Sequence, residues 1–328
     1  MHQPRTTRHS ATVQAPAREV YALIEDVLRW PAIFGPTVHV EHMGTDGREE
    51  RLRIWAFADE GHVRSWESRR RLDPDALTIS FSQAAPPHPV ASMAGEWRVS
   101  EEPGGGSRVD FGHSFTSALD DPSILDRIEE VVDRNSRAEL ESLRVAAELR
   151  HRLGDLVLTF SDDVQVEGTE QIMYDVLAQA GEWPAILPHV ARLELREEDG
   201  GVQFMEMDTK EPGGGVQTTR SVRVCLPPDR IVYKQVGLPE FLSAHVGGWT
   251  VREGPHGGVA THTVVLKEEW IPRLLGPSGT VEAARGLLRE AIGANSRTTL
   301  ACARSIAESR RDGRSGSDAL SSARKETP

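Results

Sequence analysis

The sequence has little cysteine and no surplus of basic residues. Only two of its 328 residues are cysteine, Cys225 and Cys302, and neither has a CxxC or Cys/His neighbour. This argues against a disulfide framework and a cysteine metal site, and we expect a reducing compartment. Acidic residues number 50 against 38 lysines and arginines, which gives a net charge of −12. The balance argues against general binding to nucleic acid or anionic membranes.

Long apolar segments are also missing. The start of the chain is polar, and no stretch approaches the length of a membrane span. We therefore expect a soluble, cytoplasmic protein. The 12 histidines lack metal spacing and no HExxH occurs, so we predict no metal and no cofactor. The glycine runs at 104–106 and 213–215 lie between predicted strands rather than before helices, so they are not phosphate loops.

The chain contains two copies of one unit. Trp-Pro-Ala-Ile occurs at residues 30–33 and again at 183–186. Further matching landmarks are Gly95-Glu96-Trp97 with Gly247-Gly248-Trp249, and Asn135-Ser136-Arg137 with Asn295-Ser296-Arg297. Shared order over the full length implies a duplication. We predict domains at 1–152 and 153–309, joined by a short linker at 150–155 and followed by a disordered tail at 310–328.

Each copy predicts a strand, a short helix, six more antiparallel strands and one long helix, at about 122–151 and 280–309. This is an α+β fold in which a curved antiparallel sheet wraps a long C-terminal helix, with a ligand chamber between them. The last helix has an apolar face at three- and four-residue spacing that also carries Asn295. Asn135 lies beside Val131 and Val132 in the first copy. Both asparagines are therefore candidate pocket residues.

One predicted strand, residues 63–72, recurs at 216–225, with Ser221 aligned on Ser68 and Arg223 on Arg70. Alternation places each Ser and Arg on the same, chamber-facing side. An unpaired guanidinium is costly in an apolar interior, so each arginine must meet a carboxylate, water or a ligand oxygen. They are either structural arginines or ligand-binding cations. No Gly-x-Ser-x-Gly motif surrounds either serine, so we predict positioning hydroxyls rather than nucleophiles.

Aromatic residues recur at positions that favour a pocket wall, although core packing alone would also account for each one. In the first copy the predicted wall comprises Trp30, Phe34, Trp66, Met93 and Trp97. In the second copy the matching positions are Trp183, Leu187, Thr219, His245 and Trp249, which predicts a more polar pocket. Histidines at 113, 245 and 262 fall in strands and have the chemistry of an acid or base, but the pattern selects none of them.

The opposite face of the repeated strand differs between the copies. Arg69 and Arg71 point outward in the first, where they form either a solvated face or a docking patch for an acidic carrier. Val222 and Val224 take those positions in the second. We expect this apolar face to be covered by the other domain or by a second chain in a homodimer.

With these motifs assembled, the chain resembles the didomain aromatase/cyclases of bacterial type II aromatic polyketide synthesis. Each half is similar to single-domain members, which have the helix-grip fold of START and Bet v 1 proteins. The resemblance implies regiospecific aldol closure of the first ring of a poly-β-ketone on an acyl carrier protein, with dehydration to an aromatic ring. It also implies that one ketone has already been reduced. The competing interpretation is a non-catalytic carrier of a hydrophobic small molecule, because the same fold has that use.

The resemblance places the family's pocket arginine on Arg70 and its serine on Ser68, with Arg223 and Ser221 as their repeats. Its aromatic residues fall on the predicted wall, and its pocket methionine falls on Met93. Two positions depart from the pattern. A tyrosine that is proposed as an acid/base aligns near Thr37, and a tryptophan before the Ser-x-Arg strand is Arg64 here.

Overall fold

The computed structural model describes residues 3–58, 61–149, 154–210 and 214–323, with side chains as far as residue 313. The chain divides into two compact units, residues 1–154 and 155–328. Most of the predicted linker, at 150–153, lies outside the described residues. Within the described ranges, no helix combines the length and apolar character needed to cross a membrane.

The N-terminal domain is a seven-stranded antiparallel sheet packed against helices. Its strands are β1 (Arg5–Val13), β2 (Thr37–Asp46), β3 (Glu49–Phe57), β4 (Val63–Asp73), β5 (Thr78–Gln83), β6 (Val90–Glu101) and β7 (Ser107–Ser117). Its helices are α1 (Ala17–Glu25), α2 (Trp30–Ile33) and α3 (Pro122–Glu148), with a 3₁₀ turn at Val27–Arg29. The strand order is β1-β7-β6-β5-β4-β3-β2, so β2 to β7 form a meander and β1 joins its far edge.

The C-terminal domain repeats this topology in the order β8-β14-β13-β12-β11-β10-β9. Its strands are β8 (Val157–Val166), β9 (Val190–Glu198), β10 (Val202–Lys210), β11 (Val216–Leu226), β12 (Arg230–Gly237), β13 (Leu242–Val251) and β14 (Gly254–Leu266). Its helices are α4 (Glu170–Ala178), α5 (Trp183–Ile186), α6 (Ile271–Leu275) and α7 (Val281–Ala323), with 3₁₀ turns at Ala180–Glu182, Asp199–Gly201 and Glu268–Trp270. The predicted fold class is confirmed.

The last helix is longer than its composition indicates. The sequence predicts an end near residue 309 and a disordered tail, whereas α7 continues to Ala323. Adding a residue to an existing helix costs much less than starting one, so a helix can propagate into a segment of weak propensity. The segment 310–323 is therefore helical, and residues 324–328 lie outside the described residues.

Helix α3 shows how the sequence positions the interior. It begins at Pro122, and the carboxylate of Asp121 caps it by accepting a hydrogen bond from the backbone N–H of Ser123 at 2.9 Å. Its buried residues recur every three or four positions, which places one face against the sheet: Ile128, Val132, Ser136, Leu140, Leu143, Ala146 and Ala147. The C-terminal part of this face packs with α1 in a solid core.

Candidate functional site

A chamber of about 420 Å³ lies between the sheet and α3 of the N-terminal domain. Strand β4 lines it with alternate side chains, from the exposed Arg64 at the mouth to the buried Arg70 at the floor. Six residues of strand span about 20 Å. Helix α3 lines the other side from Ile124 to Glu139, a rise of about 22 Å. The chamber is therefore long and suits a chain-like guest.

The predicted aromatic wall comes together around this chamber. Its lining includes all five predicted wall residues and Asn135: Trp30, Phe34, Trp66, Met93, Trp97 and Asn135. The rings of Trp30 and Phe34 meet edge to face with centroids 5.5 Å apart, and Phe34 stacks on Trp97 at 6.3 Å. These rings offer flat apolar surfaces to a guest with conjugated carbonyl groups.

Arg70 lies at the floor, and protein atoms hold it there. Its Nε donates to Glu50 Oε2 at 2.6 Å, its Nη1 donates to the Ile24 carbonyl at 2.9 Å, and its Nη2 donates to the Glu25 carbonyl. Both carbonyls are at the C-terminus of α1, where backbone acceptors have no helical partner. Arg70 therefore caps the C-terminus of α1 and also lines the chamber. The sequence predicted these two roles as alternatives.

The surroundings of Arg70 limit its free charge. The side chain is 3% exposed, and burial lowers the pKa of its guanidinium while Glu50 raises it. Three of its five N–H groups are engaged. Ser68, on the same face, is also buried, and its hydroxyl contacts the Ser82 carbonyl at 3.4 Å. Ser68 and Arg70 thus lie at the floor of the chamber, and several of their O–H and N–H donors already have partners within the protein.

Glu139 is a chamber residue that the sequence analysis missed. It lines the floor from α3, and burial raises the pKa of its carboxyl group to about 8. The group is therefore a neutral acid at pH 7. A signal was present in the sequence, because Glu139 stands three residues after Ser136 and four after Asn135, on the predicted inner face of the helix.

His113 and Ser136 lie beside it in the chamber lining. His113 Nδ1 and Ser136 Oγ are 3.5 Å apart. Burial, with a smaller contribution from His9, lowers the pKa of His113 to about 4, so its imidazole is neutral and has the form of a base. Of the three histidines predicted in strands, this one faces the described chamber.

In the C-terminal domain, Arg223 is completely buried and its Nη2 donates to the Leu177 carbonyl at 2.6 Å. Its Cζ lies 4.8 Å from the Trp183 ring centroid and 5.5 Å from that of Trp249. Ser221 is buried beside it on the same strand face. The repeated Ser-x-Arg motif therefore points inward in both domains.

The C-terminal interior contains a cluster of polar aromatic side chains. Tyr233 Oη lies 3.0 Å from His245 Nε2 and 2.7 Å from His262 Nδ1. Tyr233 lies across Gly247, where an added Cβ would be 2.8 Å from its Cζ. In the N-terminal domain Phe81 lies across Gly95 in the same way. Tyr233 thus stands where the N-terminal domain has Phe81, and His245 stands where it has Met93.

The remaining predicted residues are dispersed. Leu187 is buried in a hydrophobic cluster with Trp183, the hydroxyl of Thr219 contacts the Met207 carbonyl at 3.5 Å, and Asn295 is exposed. On the outer faces, Arg69 and Arg71 are exposed while Val222 and Val224 are fully buried, as predicted. Among the described residues, no group of three or more His, Cys, Asp or Glu side chains could hold a metal ion.

Comparison with known proteins gives the family. A model of the family "Polyketide cyclase / dehydrase and lipid transport" matches residues 4–148, and a related model of the same description matches residues 166–284. The chain is 42% identical to the granaticin polyketide synthase bifunctional cyclase/dehydratase of Streptomyces violaceoruber, over 90% of this chain and 91% of that protein. It is 41% identical to the actinorhodin polyketide synthase bifunctional cyclase/dehydratase of Streptomyces coelicolor, over 89% and 93%.

Solved structures agree with this. The crystal structure of the di-domain aromatase/cyclase BexL, from the BE-7585A biosynthetic pathway, has a TM-score of 0.82 and 42% identity, and the match covers 93% of this chain and 99% of that one. StfQ, from the steffimycin pathway, has a TM-score of 0.81 and 36% identity over 93% and 99%. The chain therefore belongs to the di-domain aromatase/cyclases of the polyketide cyclase family and is a polyketide cyclase/dehydratase.

Proposed function

We propose that the N-terminal chamber closes the first ring of a poly-β-ketone by aldol addition and then dehydrates it, with the substrate, already reduced at one ketone, carried by an acyl carrier protein. The observation that carries this proposal is one long cavity with aromatic walls whose lining includes Arg70, His113 and Glu139. A carrier of inert lipid does not need a neutral acid and a neutral base at the end of its pocket.

Selection of one ring is a problem of geometry. A poly-β-ketone can fold in many ways, and only one folding brings the required methylene carbon next to the required ketone carbon. Holding those atoms in a near-attack arrangement is worth several kcal/mol of the barrier. The flat rings of Trp30, Phe34 and Trp97 restrict the foldings that fit. The shape of the chamber thus sets the position of closure.

Proton transfers complete the reaction. His113 takes a proton from the activated methylene, the resulting enolate carbon bonds to the ketone carbon, and Glu139 protonates the new alkoxide. Loss of a further α-proton and of that hydroxyl as water forms the double bond, and the reduced carbinol loses water in the same way. Arg70 adds a fixed positive potential at the floor, where negative charge grows on the ketone oxygen.

The outer face of β4 is our candidate surface for the acidic carrier. Arg69 and Arg71 are exposed there, and on β3 Arg51 lies directly opposite Arg69 while Glu49 lies opposite Arg71. Like charges at neighbouring positions repel each other, so an acidic partner would relieve this repulsion. The local patch contrasts with the net charge of −12.

Filling the chamber tests the proposal. Val131→Trp adds an indole to the lining contributed by α3, and Ala291→Trp adds one at the matching, exposed position of α7. With a carrier-bound polyketide, we expect Val131→Trp to lose the aromatised product about 100-fold, because the reacting carbons no longer meet. Ala291→Trp should keep the wild-type product profile, and both variants should keep the wild-type melting temperature.

Two outcomes would contradict the assignment. An unchanged product profile for Val131→Trp would show that the chamber does not hold the reacting chain. Equal losses in the two variants, with both proteins folded, would show that filling the chamber is not the cause of the loss, because Ala291 is exposed.

A further inference from the structure

The buried arginines at equivalent positions of the two domains have different hydrogen-bond partners. Four pairs of residues are 153 positions apart in the sequence: Arg70 and Arg223, Glu50 and Gln203, Ile24 and Leu177, and Glu25 and Ala178. The strand registers match as well, since residue 50 pairs with 70 and residue 203 pairs with 223. The duplication thus replaces a carboxylate with an amide at the position that faces the arginine.

Arg223 has lost two of the three hydrogen bonds that Arg70 makes. Its Nη2 keeps the helix carbonyl of Leu177 at 2.6 Å. Its Nε and Nη1 have no hydrogen-bond partner among the residues that the structure describes, and the side chain is 0% exposed. A buried donor without an acceptor costs free energy, and a buried charge costs more.

The hydrogen bonds of Gln203 account for the two that Arg223 lacks. Its Nε2 donates to the Ala178 carbonyl at 3.0 Å, which is the counterpart of the carbonyl that Arg70 uses. The same nitrogen donates to Glu197 Oε1 at 2.8 Å. Its Oε1 faces the Cys225 thiol at 3.5 Å. The amide therefore takes one acceptor from Arg223 and directs its own acceptor elsewhere.

A further donor without a partner lies next to the guanidinium. Trp249 Nε1 is buried and has no hydrogen-bond partner in the described part of the chain. The other indole beside Arg223 does have one, because Trp183 Nε1 donates to the Val176 carbonyl at 3.3 Å. The Trp249 ring centroid is 5.5 Å from Arg223 Cζ. Unpaired donors on β11 and β13 thus belong to neighbouring side chains.

These donors select their ligand by charge. Burial lowers the pKa of Arg223 to about 10, so the guanidinium remains a cation at neutral pH. Guanidinium and indole N–H groups donate and cannot accept. Cations and neutral donors are therefore excluded, and an acceptor with negative charge is favoured.

We infer that Arg223 and Trp249 bind a small monovalent anion, either a halide or a carboxylate, inside the C-terminal domain. The anion supplies Arg223 with the negative charge that Glu50 supplies to Arg70 in the N-terminal domain. This site is separate from the N-terminal chamber and does not depend on the cyclisation proposed there.

Thermal unfolding of the full chain tests the site, with Gln203→Glu as the matched control. A carboxylate cannot donate to Ala178 and Glu197 as the amide does, so it should turn to the donors of Arg223 and replace the anion. We expect 100 mM bromide or 100 mM acetate to raise the wild-type melting temperature by about 2–4 °C more than that of the variant, as for a ligand with a dissociation constant of about 20 mM. Comparing the two proteins in the same salt cancels general salt effects.

Comparing bromide with acetate distinguishes a halide site from a carboxylate site. Protection by bromide alone identifies a halide site, and protection by acetate alone identifies a carboxylate site. Equal responses of wild type and Gln203→Glu to both salts would overturn the inference. Anomalous scattering from crystals grown in bromide gives an independent measurement, with a peak beside Arg223 expected in the wild type. Absence of that peak, together with no response to acetate, would also overturn it.

Discussion

Replacing Arg70 with alanine is expected to lower the melting temperature of the N-terminal domain by on the order of 10 °C. Removing one member of a buried ion pair typically costs about 3–5 kcal/mol, and each kcal/mol shifts a domain of this size by a few degrees. The loss has two physical parts. Glu50, whose side chain is 14% exposed, loses its guanidinium partner and keeps the His42 imidazole, 3.5 Å from its Oε1. The carbonyls of Ile24 and Glu25 lose their donors at the end of α1.

A double variant separates those parts. Arg70→Ala with Glu50→Leu removes the carboxylate that lost its guanidinium, so it should recover a substantial fraction of the lost stability while the two carbonyls stay unpaired. Scanning calorimetry measures both variants. A melting temperature for Arg70→Ala within about 1 °C of the wild type would show that the guanidinium does not hold the helix end.

This expectation changes how activity measurements on Arg70 are to be interpreted. Loss of activity in Arg70→Ala does not by itself show that the arginine stabilises an oxyanion. The substitution also removes the hydrogen bonds that hold the floor of the chamber. Arg70→Lys keeps the charge and loses the planar fork. If the positive potential matters, the lysine variant should retain more turnover than alanine at temperatures where both are folded.

The sequence predicted the direction of Arg70 but not its partners. Strand alternation with Trp66 and Ser68 is enough to place the guanidinium inside the sheet, because side chains alternate strictly. The partners Glu50 and Ile24 depend on the register of β3 against β4 and on where α1 ends. Both follow from tertiary packing, which residue spacing within one strand does not encode.

Glu139 was missed for a different reason. Its spacing from Asn135 and Ser136 places it on the inner face of α3, yet a glutamate in a helix is usually solvated. The raised pKa arises only from burial in the assembled chamber. In the second copy the position that aligns with Glu139 is Thr299, so the internal repeat offered no support either.

Exchanging Glu139 for glutamine is expected to reduce kcat about 10²- to 10⁴-fold, the usual contribution of a general acid. Glutamine has nearly the same shape and remains neutral, but it has no proton to transfer. At about pH 4, where the glutamate is protonated in both the folded and the unfolded chain, the melting temperature should therefore match that of the wild type. The measurement is the rate of aromatised product formation from a carrier-bound polyketide. A variant with wild-type turnover would remove Glu139 from the mechanism.

The pH dependence gives Glu139 a signature that a structural role does not share. Wild-type turnover should rise through about pH 4 as His113 loses its proton, and fall through about pH 8 as Glu139 ionises. The glutamine variant should lose only the fall at high pH. Stability follows the same group, because its folded pKa is above its ordinary value of 4.5. The stabilising contribution of the protonated form is complete below pH 4.5, declines above that pH as the unfolded chain ionises, and is lost as the pH rises through about 8. The glutamine variant should therefore melt at a higher temperature than the wild type above pH 4.5, and the difference should reach its full size above about pH 8.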